Sequence, residues 1–207
     1  MNKLLKRIAA GAIFRIVRPF RWLMFYYGRL NHFLIPNLSK ILSHEVIYST
    51  FPKCNQKLIV SGTGRVEIGA GCMFGYKLGG RFYKGLIEIQ PRYKNSLIKI
   101  GNNISTNNNL IICAANYIEI GDDTLIGEGV SIMDHEAHGI APNQRGEIGE
   151  IGKVIIGRNV WIGNGVMILK NSEIGDNSIV AGGAVVCGKY PANVIIGGVP
   201  AKLIRNL

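Results

Sequence analysis

The stretch SIMDHEAHGIAPNQRG, residues 131–146, places Asp134, His135 and His138 within five positions of one another. Imidazole is the side chain suited to proton transfer near neutral pH, because it is largely unprotonated there yet basic enough to assist. A neighbouring carboxylate such as Asp134 can orient an imidazole or hold its tautomer. The other two histidines, His32 and His44, have no motif around them and read as structural. The four cysteines, Cys54, Cys72, Cys113 and Cys187, form no C-x-x-C pair and sit among aliphatic or small residues, which points to a reducing compartment and no zinc.

The elements that position the histidines are written in sixes. Ile156, Ile162, Ile168, Ile174, Val180 and Val186 recur at that interval, and Val160, Val166, Ser172, Ser178 and Ala184 follow the first five of them by four residues. A period of six would rotate an aliphatic stripe around a helix, and a simple hairpin sheet does not repeat this way. Short strands joined by corners do, with Gly and Asn supplying unusual backbone angles and stacked coils burying an aliphatic column. Three hexads make a coil of 18 residues, and coils start at VEIG (66–69), IKIG (98–101), IEIG (118–121) and VIIG (154–157). The spacing therefore predicts an all-β parallel helix. Residues 138–153 abandon the pattern and must leave the column as a protruding loop, with the histidines at its start. Residues 79–97, rich in Arg, Lys and Tyr, look like a second interruption.

The 207 residues suffice for one well-buried domain, expected over 46–207, preceded by a basic segment over 1–45. Residues 1–44 hold eight Lys and Arg and no acidic residue, so the net charge of +11 belongs mainly to that segment. Without a basic face interleaved with aromatics along 60–200, nucleic acid is not the expected partner. Leu5, Ile8, Ala12, Ile16 and Phe20 fall on one helical face, with Lys3, Arg7, Arg15 and Arg18 on another. Residues 1–30 thus suit either an anionic membrane surface or packing against protein. No apolar run is long enough to span a bilayer, and the arginines break any signal-peptide core, so the segment is expected to be retained.

The hexads at 98–137 and 154–190, with VWIGNGVMIL and the closing GGVPAKLIR, resemble the hexapeptide-repeat acyltransferases. Within them the chain looks most like the galactoside, maltose and xenobiotic acetyltransferases and the O-acetyltransferases of surface polysaccharides. The resemblance implies a left-handed parallel β-helix, a homotrimer, and acetyl-coenzyme A bound between subunits without a metal. It implies a loop histidine as the base: His138, 6 residues after Ile132 and 23 before Trp161, is the first choice and His135 the second. It puts Asn164 against the pantetheine arm and makes Gly182 a backbone contact to the coenzyme, with Trp161 shaping the cleft. Cys187 and Gly188 fall in a turn written Thr-Lys in relatives, with Lys189 one place later as a substitute cation. Lys202 and Arg205 face the nucleotide phosphates. Asn107 and Asn109 stand where sugar-acting relatives place a substrate-contacting amide.

The expected function is transfer of acetyl to a sugar hydroxyl in surface or capsular polysaccharide synthesis, in the cytoplasm or at the inner face of the membrane. An N-acetyltransferase acting on an amino sugar or other small-molecule acceptor and a non-catalytic hexapeptide-repeat scaffold are the alternatives. Carbonic anhydrases sharing this fold need three histidines for a metal, and the repeat region has only His135 and His138.

Overall fold

The computed structural model describes residues 26–28 and 30–207. The amphipathic helix expected over residues 1–30 lies almost wholly outside them. Among the described residues no helix is long and apolar enough to cross a membrane.

From Val46 the chain winds into a three-sided column. The first coil is β1 (Val46–Tyr48), β2 (Lys53–Cys54) and β3 (Leu58–Val60); the second is β4 (Arg65–Ile68), β5 (Met73–Phe74) and β6 (Ile87–Pro91). The third comprises β7 (Leu97–Ile100), β8 (Ser105–Thr106) and β9 (Ile111–Ala114). Then come β10 (Tyr117–Ile120), β11 (Leu125–Ile126) and β12 (Ser131–Met133), followed by β13 (Lys153–Ile156), β14 (Trp161–Ile162) and β15 (Met167–Ile168). The sixth coil is β16 (Ser172–Ile174), β17 (Ile179–Val180) and β18 (Val185–Val186), and β19 (Lys189–Tyr190) and β20 (Val194–Gly197) start a seventh. Every third strand stacks in parallel: β1-β4-β7-β10-β13-β16-β19 form one sheet (sheet A), the series from β2 to β20 a second (B), and the series from β3 to β18 a third (C). A last strand, β21 (Lys202–Asn206), runs antiparallel along β20.

The hexad explains the packing. Ile98, Ile118 and Val154 lie in register on sheet A, as do Ile100, Ile120 and Ile156, and all are buried. The small position falls where the corner narrows, so Val160, Val166, Ser172, Ser178 and Ala184 are buried as expected. The buried serines stay satisfied by donating to backbone carbonyls, Ser172 to Val186 at 3.1 Å and Ser178 to Pro191 at 3.2 Å. At the corner between sheets A and B, Asn159, Asn177 and Asn193 take left-handed backbone angles (φ 54°, 57° and 61°). Their amides form a ladder, each Nδ2 donating to the next Oδ1 at 3.0 Å. Asparagine tolerates this conformation better than other non-glycine residues.

Two segments leave the column. The loop between β12 and β13 is the one the spacing predicts. The second interruption is shorter than expected: only residues 75–86 depart, and β6 returns to sheet C with Ile87 and Ile89 fully buried between β3 and β9. Residues 92–96, taken with that interruption, form the corner from β6 to β7, longer than the other short corners between sheets C and A.

A π-helical turn (Leu30–Leu34) and α1 (Ile35–Leu42) close the N-terminal end. Phe33 is buried edge-to-face against Tyr48 and Phe51. Asn37 is also buried; its Nδ2 donates to the carbonyls of Phe33 and Leu58 and its Oδ1 accepts from the Val60 amide at 2.7 Å.

The outer faces differ. Sheet A carries charge, with Lys99 paired to Glu119 at 3.2 Å and Lys189 to Glu173 at 2.8 Å. Sheet B sets Leu125, Trp161 and Ile179 in one outward row, and sheet C sets Ile111 and Met167 either side of Ser131. These rows of sheets B and C thus present apolar side chains outside as well as inside.

Candidate active site

The long loop is anchored by Asp134, fully buried at the corner between sheets C and A. The coil from Ile98 to Ile118 is 20 residues, not the 18 that separate Val154 from Ser172. The longer corner, Ala115–Asn116, turns successive amides toward Asp134, which accepts from Ala115, Asn116 and Tyr117 at 2.7, 2.8 and 2.7 Å. A carboxylate holding three backbone N–H groups is a strong anchor. The Gly152 amide donates to the Asp134 carbonyl at 2.7 Å, so the loop begins and ends at the same place.

Asp134 does orient an imidazole, and it is that of His135. Nδ1–H of His135 donates to Asp134 Oδ1 at 2.9 Å, and Nε2 accepts from the Arg92 guanidinium at 3.0 Å. Arginine can only donate, which assigns the proton to Nδ1. Both nitrogens of this buried ring are engaged. Arg92 also reaches Gln90, which accepts from the buried Cys113 thiol at 2.9 Å; burial pushes that thiol up. Arg92 escaped sequence reasoning because its segment read as an interruption.

His138 sits on the exposed part of the loop. Its Nδ1–H donates to the Arg145 carbonyl at 2.7 Å, since a carbonyl only accepts. The lone pair is therefore on Nε2, which makes no hydrogen bond among the described residues. The loop folds back as a hairpin, with the Glu136 amide on the Glu150 carbonyl at 3.0 Å and the Gly139 amide on that of Glu147 at 2.9 Å. Lys170, from the next coil, closes it by pairing with Glu136 at 3.3 Å and with Glu150. The hydrogen bond from Lys170 holds the Glu150 carboxyl below the usual carboxylate range, and the same bond raises the Lys170 amine. Lys170 carried no sequence signal, because its carboxylate partners lie on an irregular loop.

Among the residues expected to hold coenzyme, the structure brings Asn164 and Gly182 together in successive coils at the corner between sheets B and C. The Gly183 amide donates to the Asn164 carbonyl at 2.8 Å, while Asn164 Oδ1 accepts from the Glu128 amide at 2.8 Å. With Gly165 and Gly183 beside them, this corner presents exposed backbone almost bare of side chains, which fits a slender pantetheine arm. The turn before Lys202 continues the line: the Val185 amide donates to Gly198 at 3.0 Å and the Ala201 amide to Val185 at 2.8 Å. Lys202 and Arg205 project from β21, exposed and in no ion pair among the described residues, so they fit phosphate. Cys187 and Gly188 lie at the corner between sheets C and A, apart from Asn164 and Gly182. Lys189 follows them as the first residue of β19 on sheet A, where it pairs with Glu173 at 2.8 Å. No group of three His, Cys, Asp or Glu side chains among the described residues is placed to hold a metal.

Asn107 and Asn109 flank the base of the 75–86 loop. Asn107 Oδ1 accepts from the Asn108 amide at 2.9 Å, and the Asn109 amide donates to Gln56 Oε1 at 2.8 Å. Asn109 Nδ2 is buried with no hydrogen-bond partner among the described residues. Asn108, between them, is fully buried and donates to the carbonyls of Tyr76 and Gly80 at 3.0 and 2.9 Å. The alternation through Thr106, Asn108 and Leu110 is the signal that Asn108 points inward.

The description "Bacterial transferase hexapeptide (six repeats)" matches residues 153–188. Over 140 residues the chain is 33% identical to the putative lipopolysaccharide biosynthesis O-acetyl transferase WbbJ of Escherichia coli K12, spanning 62% of this chain and 70% of that protein. The chain belongs to the hexapeptide-repeat transferases. This hexapeptide-repeat transferase is also 39% identical over 114 residues to galactoside O-acetyltransferase of the same organism, spanning 54% of this chain but only 55% of that protein. A solved galactoside acetyltransferase in complex with coenzyme A superposes with a TM-score of 0.50 at 22% identity, covering 90% of this chain and 79% of the other. That similarity identifies the column of this hexapeptide-repeat transferase as a left-handed parallel β-helix.

Proposed function

We propose that the chain is an acetyl-coenzyme A-dependent O-acetyltransferase with His138 as its base, acting on a sugar hydroxyl of a surface or capsular polysaccharide intermediate. The observation that carries this reading is the His138 ring itself, exposed on the loop, with Nδ1–H committed to Arg145 and Nε2 holding the lone pair. Acetyl-coenzyme A supplies the acetyl group as a thioester and leaves as the thiol. Nε2 takes the acceptor's proton as its oxygen attacks the thioester carbonyl, then returns it to the departing sulfur. His135 serves the site indirectly by holding Asp134 and Arg92 at the loop's base. Asn164 and Gly182 would hold the pantetheine arm, with Lys202 and Arg205 at the phosphates. Asn107 and Asn109 would meet the sugar. The names of the relatives support the sugar class.

The apolar outer rows of sheets B and C support a homotrimer, since large contiguous apolar faces mark protein interfaces. The polysaccharide role and a place at the inner face of the membrane belong to the same proposal.

The test is release of free thiol from acetyl-coenzyme A over a panel of sugars, amino sugars, nucleotide sugars and glycan fragments. Turnover with a hydroxyl acceptor that collapses in His138→Ala while His135→Ala keeps activity per folded molecule supports the reading. Turnover only with amines makes the chain an N-acetyltransferase. Absence of coenzyme binding would leave a scaffold.

A further inference from the structure

The end of the column closed by α1 carries an apolar surface that neither the core nor sheets B and C absorb. α1 turns Asn37 inward and leaves Ile35, Leu38 and Leu42 outward, with Ile35 62% and Leu42 71% exposed. Positions 35, 38 and 42 share one helical face. Tyr27 and Leu30, just before α1, are exposed too. A second set comes from the 75–86 loop, where Leu78 is 85% and Tyr83 93% exposed, interleaved with Lys77, Arg81 and Lys84 and no acidic residue. The loop borders a cavity of about 770 Å³, whose other walls include Gly28 and His32 from the segment that leads into α1. The two sets thus lie at the same end of the column, on either side of that segment.

Charge says what covers it. Lys53 and Lys57 stand at the same cavity or the one adjoining it, exposed and in no ion pair among the described residues. Of the acidic groups nearby, Glu45 is paired with Lys40 at 2.8 Å and Glu128 stands 3.9 Å from Arg81. The sequence that leads into this surface, residues 1–25, contains six Lys and Arg and no Asp or Glu. Separate apolar knobs set among cations differ from the flat uncharged rows of sheets B and C. They match an interfacial surface, where apolar and Tyr side chains enter the headgroup region and cations meet lipid phosphate.

We propose that this end of the column, α1 together with the 75–86 loop, docks on an anionic lipid bilayer. The docking stands on these side chains and not on the acetyl-transfer reading. In the threefold assembly proposed above, three such ends face one side, so weak contacts add as avidity. A lipid-linked acceptor would then be met at its own surface.

The test is cosedimentation of the full chain with vesicles of phosphatidylglycerol and phosphatidylcholine, and with phosphatidylcholine alone. Two triple variants accompany it, Ile35→Ser/Leu38→Ser/Leu42→Ser and Lys77→Ser/Arg81→Ser/Lys84→Ser, each checked for an unchanged melting curve. Expected are binding to the anionic vesicles that weakens with salt and a large loss in both variants. At about fivefold per cation, the charge variant loses roughly a hundredfold. Absence of cosedimentation overturns the proposal. So does undiminished binding in both variants, which would assign the contact to residues 1–25 alone. A fall in solution mass of the Ile35 variant without vesicle binding by the wild type would make the face a contact between copies. Thiol release with soluble and lipid-linked acceptors is read separately, so vesicle binding without turnover on either counts against the catalytic reading alone.

Discussion

His138 Nδ1 lies 2.7 Å from the carbonyl oxygen of Arg145, seven residues along the same loop. A backbone carbonyl cannot donate, so this one contact assigns the tautomer and leaves Nε2 as the basic atom. His138→Ala is expected to lower kcat by about 10²–10⁴-fold, the usual worth of a general base, while coenzyme binding measured by calorimetry stays within twofold, on the order of experimental scatter. His138→Asn retains an amide donor for the Arg145 carbonyl and should be as inactive, which separates loss of the base from loss of the loop's shape.

Asp134 stands under the whole loop. Asp134→Ala leaves three backbone N–H groups and the His135 ring without their acceptor, and unsatisfied buried donors cost about 1–3 kcal/mol each. Partial rehydration of the corner lowers the total, and an overall loss of about 3–5 kcal/mol is expected, read as a shift in the denaturant midpoint. His135→Ala should cost less, because the amides of Ala115, Asn116 and Tyr117 keep their acceptor. A midpoint for Asp134→Ala equal to wild type would refute the anchoring role.

The clamp on the loop has a pH signature. Glu150 is depressed by its hydrogen bond from Lys170, so its contribution is present above the ordinary carboxylate range and lost as pH falls through the lowered folded value. Lys170 is raised by the same bond, so its contribution is present below the ordinary lysine range and lost as pH rises through the raised folded value. Amide protection over residues 136–150, taken relative to intrinsic exchange at each pH, should therefore be greatest around neutral pH and fall at the acid end before that of the column's strands. In Lys170→Met the loop should exchange fast at every pH, with the global melting temperature little changed.

On sheet A, Tyr117 donates to Glu119 at 2.6 Å, and burial together with that bond pushes the phenol up to about 12. A raised folded value means that the stabilisation is complete below the ordinary value of 10 and is lost between there and about 12. Near-ultraviolet titration should show Tyr117 ionising late, with Tyr190 also raised by burial. Glu119→Gln should bring Tyr117 part of the way back, since burial is the larger cause. Tyr117→Phe should in turn raise Glu119, whose carboxyl is lowered first by the Tyr117 hydrogen bond.

Asn108→Ala should release the 75–86 loop from the column. It removes the donors to Tyr76 and Gly80 and the acceptor for the Tyr76 amide, an expected loss of about 2–4 kcal/mol with limited proteolysis confined to that loop.

The column was legible from sequence because its rule is local: one large and one small inward side chain every six residues, with Asn or Gly where φ turns positive. Ile120, Ile126 and Ile132 predict their own places on that rule, and the departure at His138 follows from its failure. What the periodicity could not reach is contact between coils. Arg92 on His135, Lys170 on Glu136 and Glu150, and Asn37 on Leu58 join residues 43, 34, 20 and 21 positions apart in ways no spacing encodes. What distinguishes the two histidines is contact with Arg92, outside the motif, and with the Arg145 carbonyl, inside it but reached only through the fold of the loop. The return of β6 was hidden by the charged residues on either side of IEIQP.

The loop that carries His138 leaves and rejoins the column at a single point, where the Gly152 amide meets the Asp134 carbonyl at 2.7 Å, and Val154 then sits in register beside Ile118 as though nothing had intervened. A closed excursion of this kind is an interchangeable part. Loop-closure entropy grows only slowly with length, so residues 139–150 can be lengthened, shortened or exchanged while the coils beneath keep their register. Recognition of new acceptors can then diversify on a scaffold whose folding stays constant, provided that a loop carbonyl still meets His138 Nδ1.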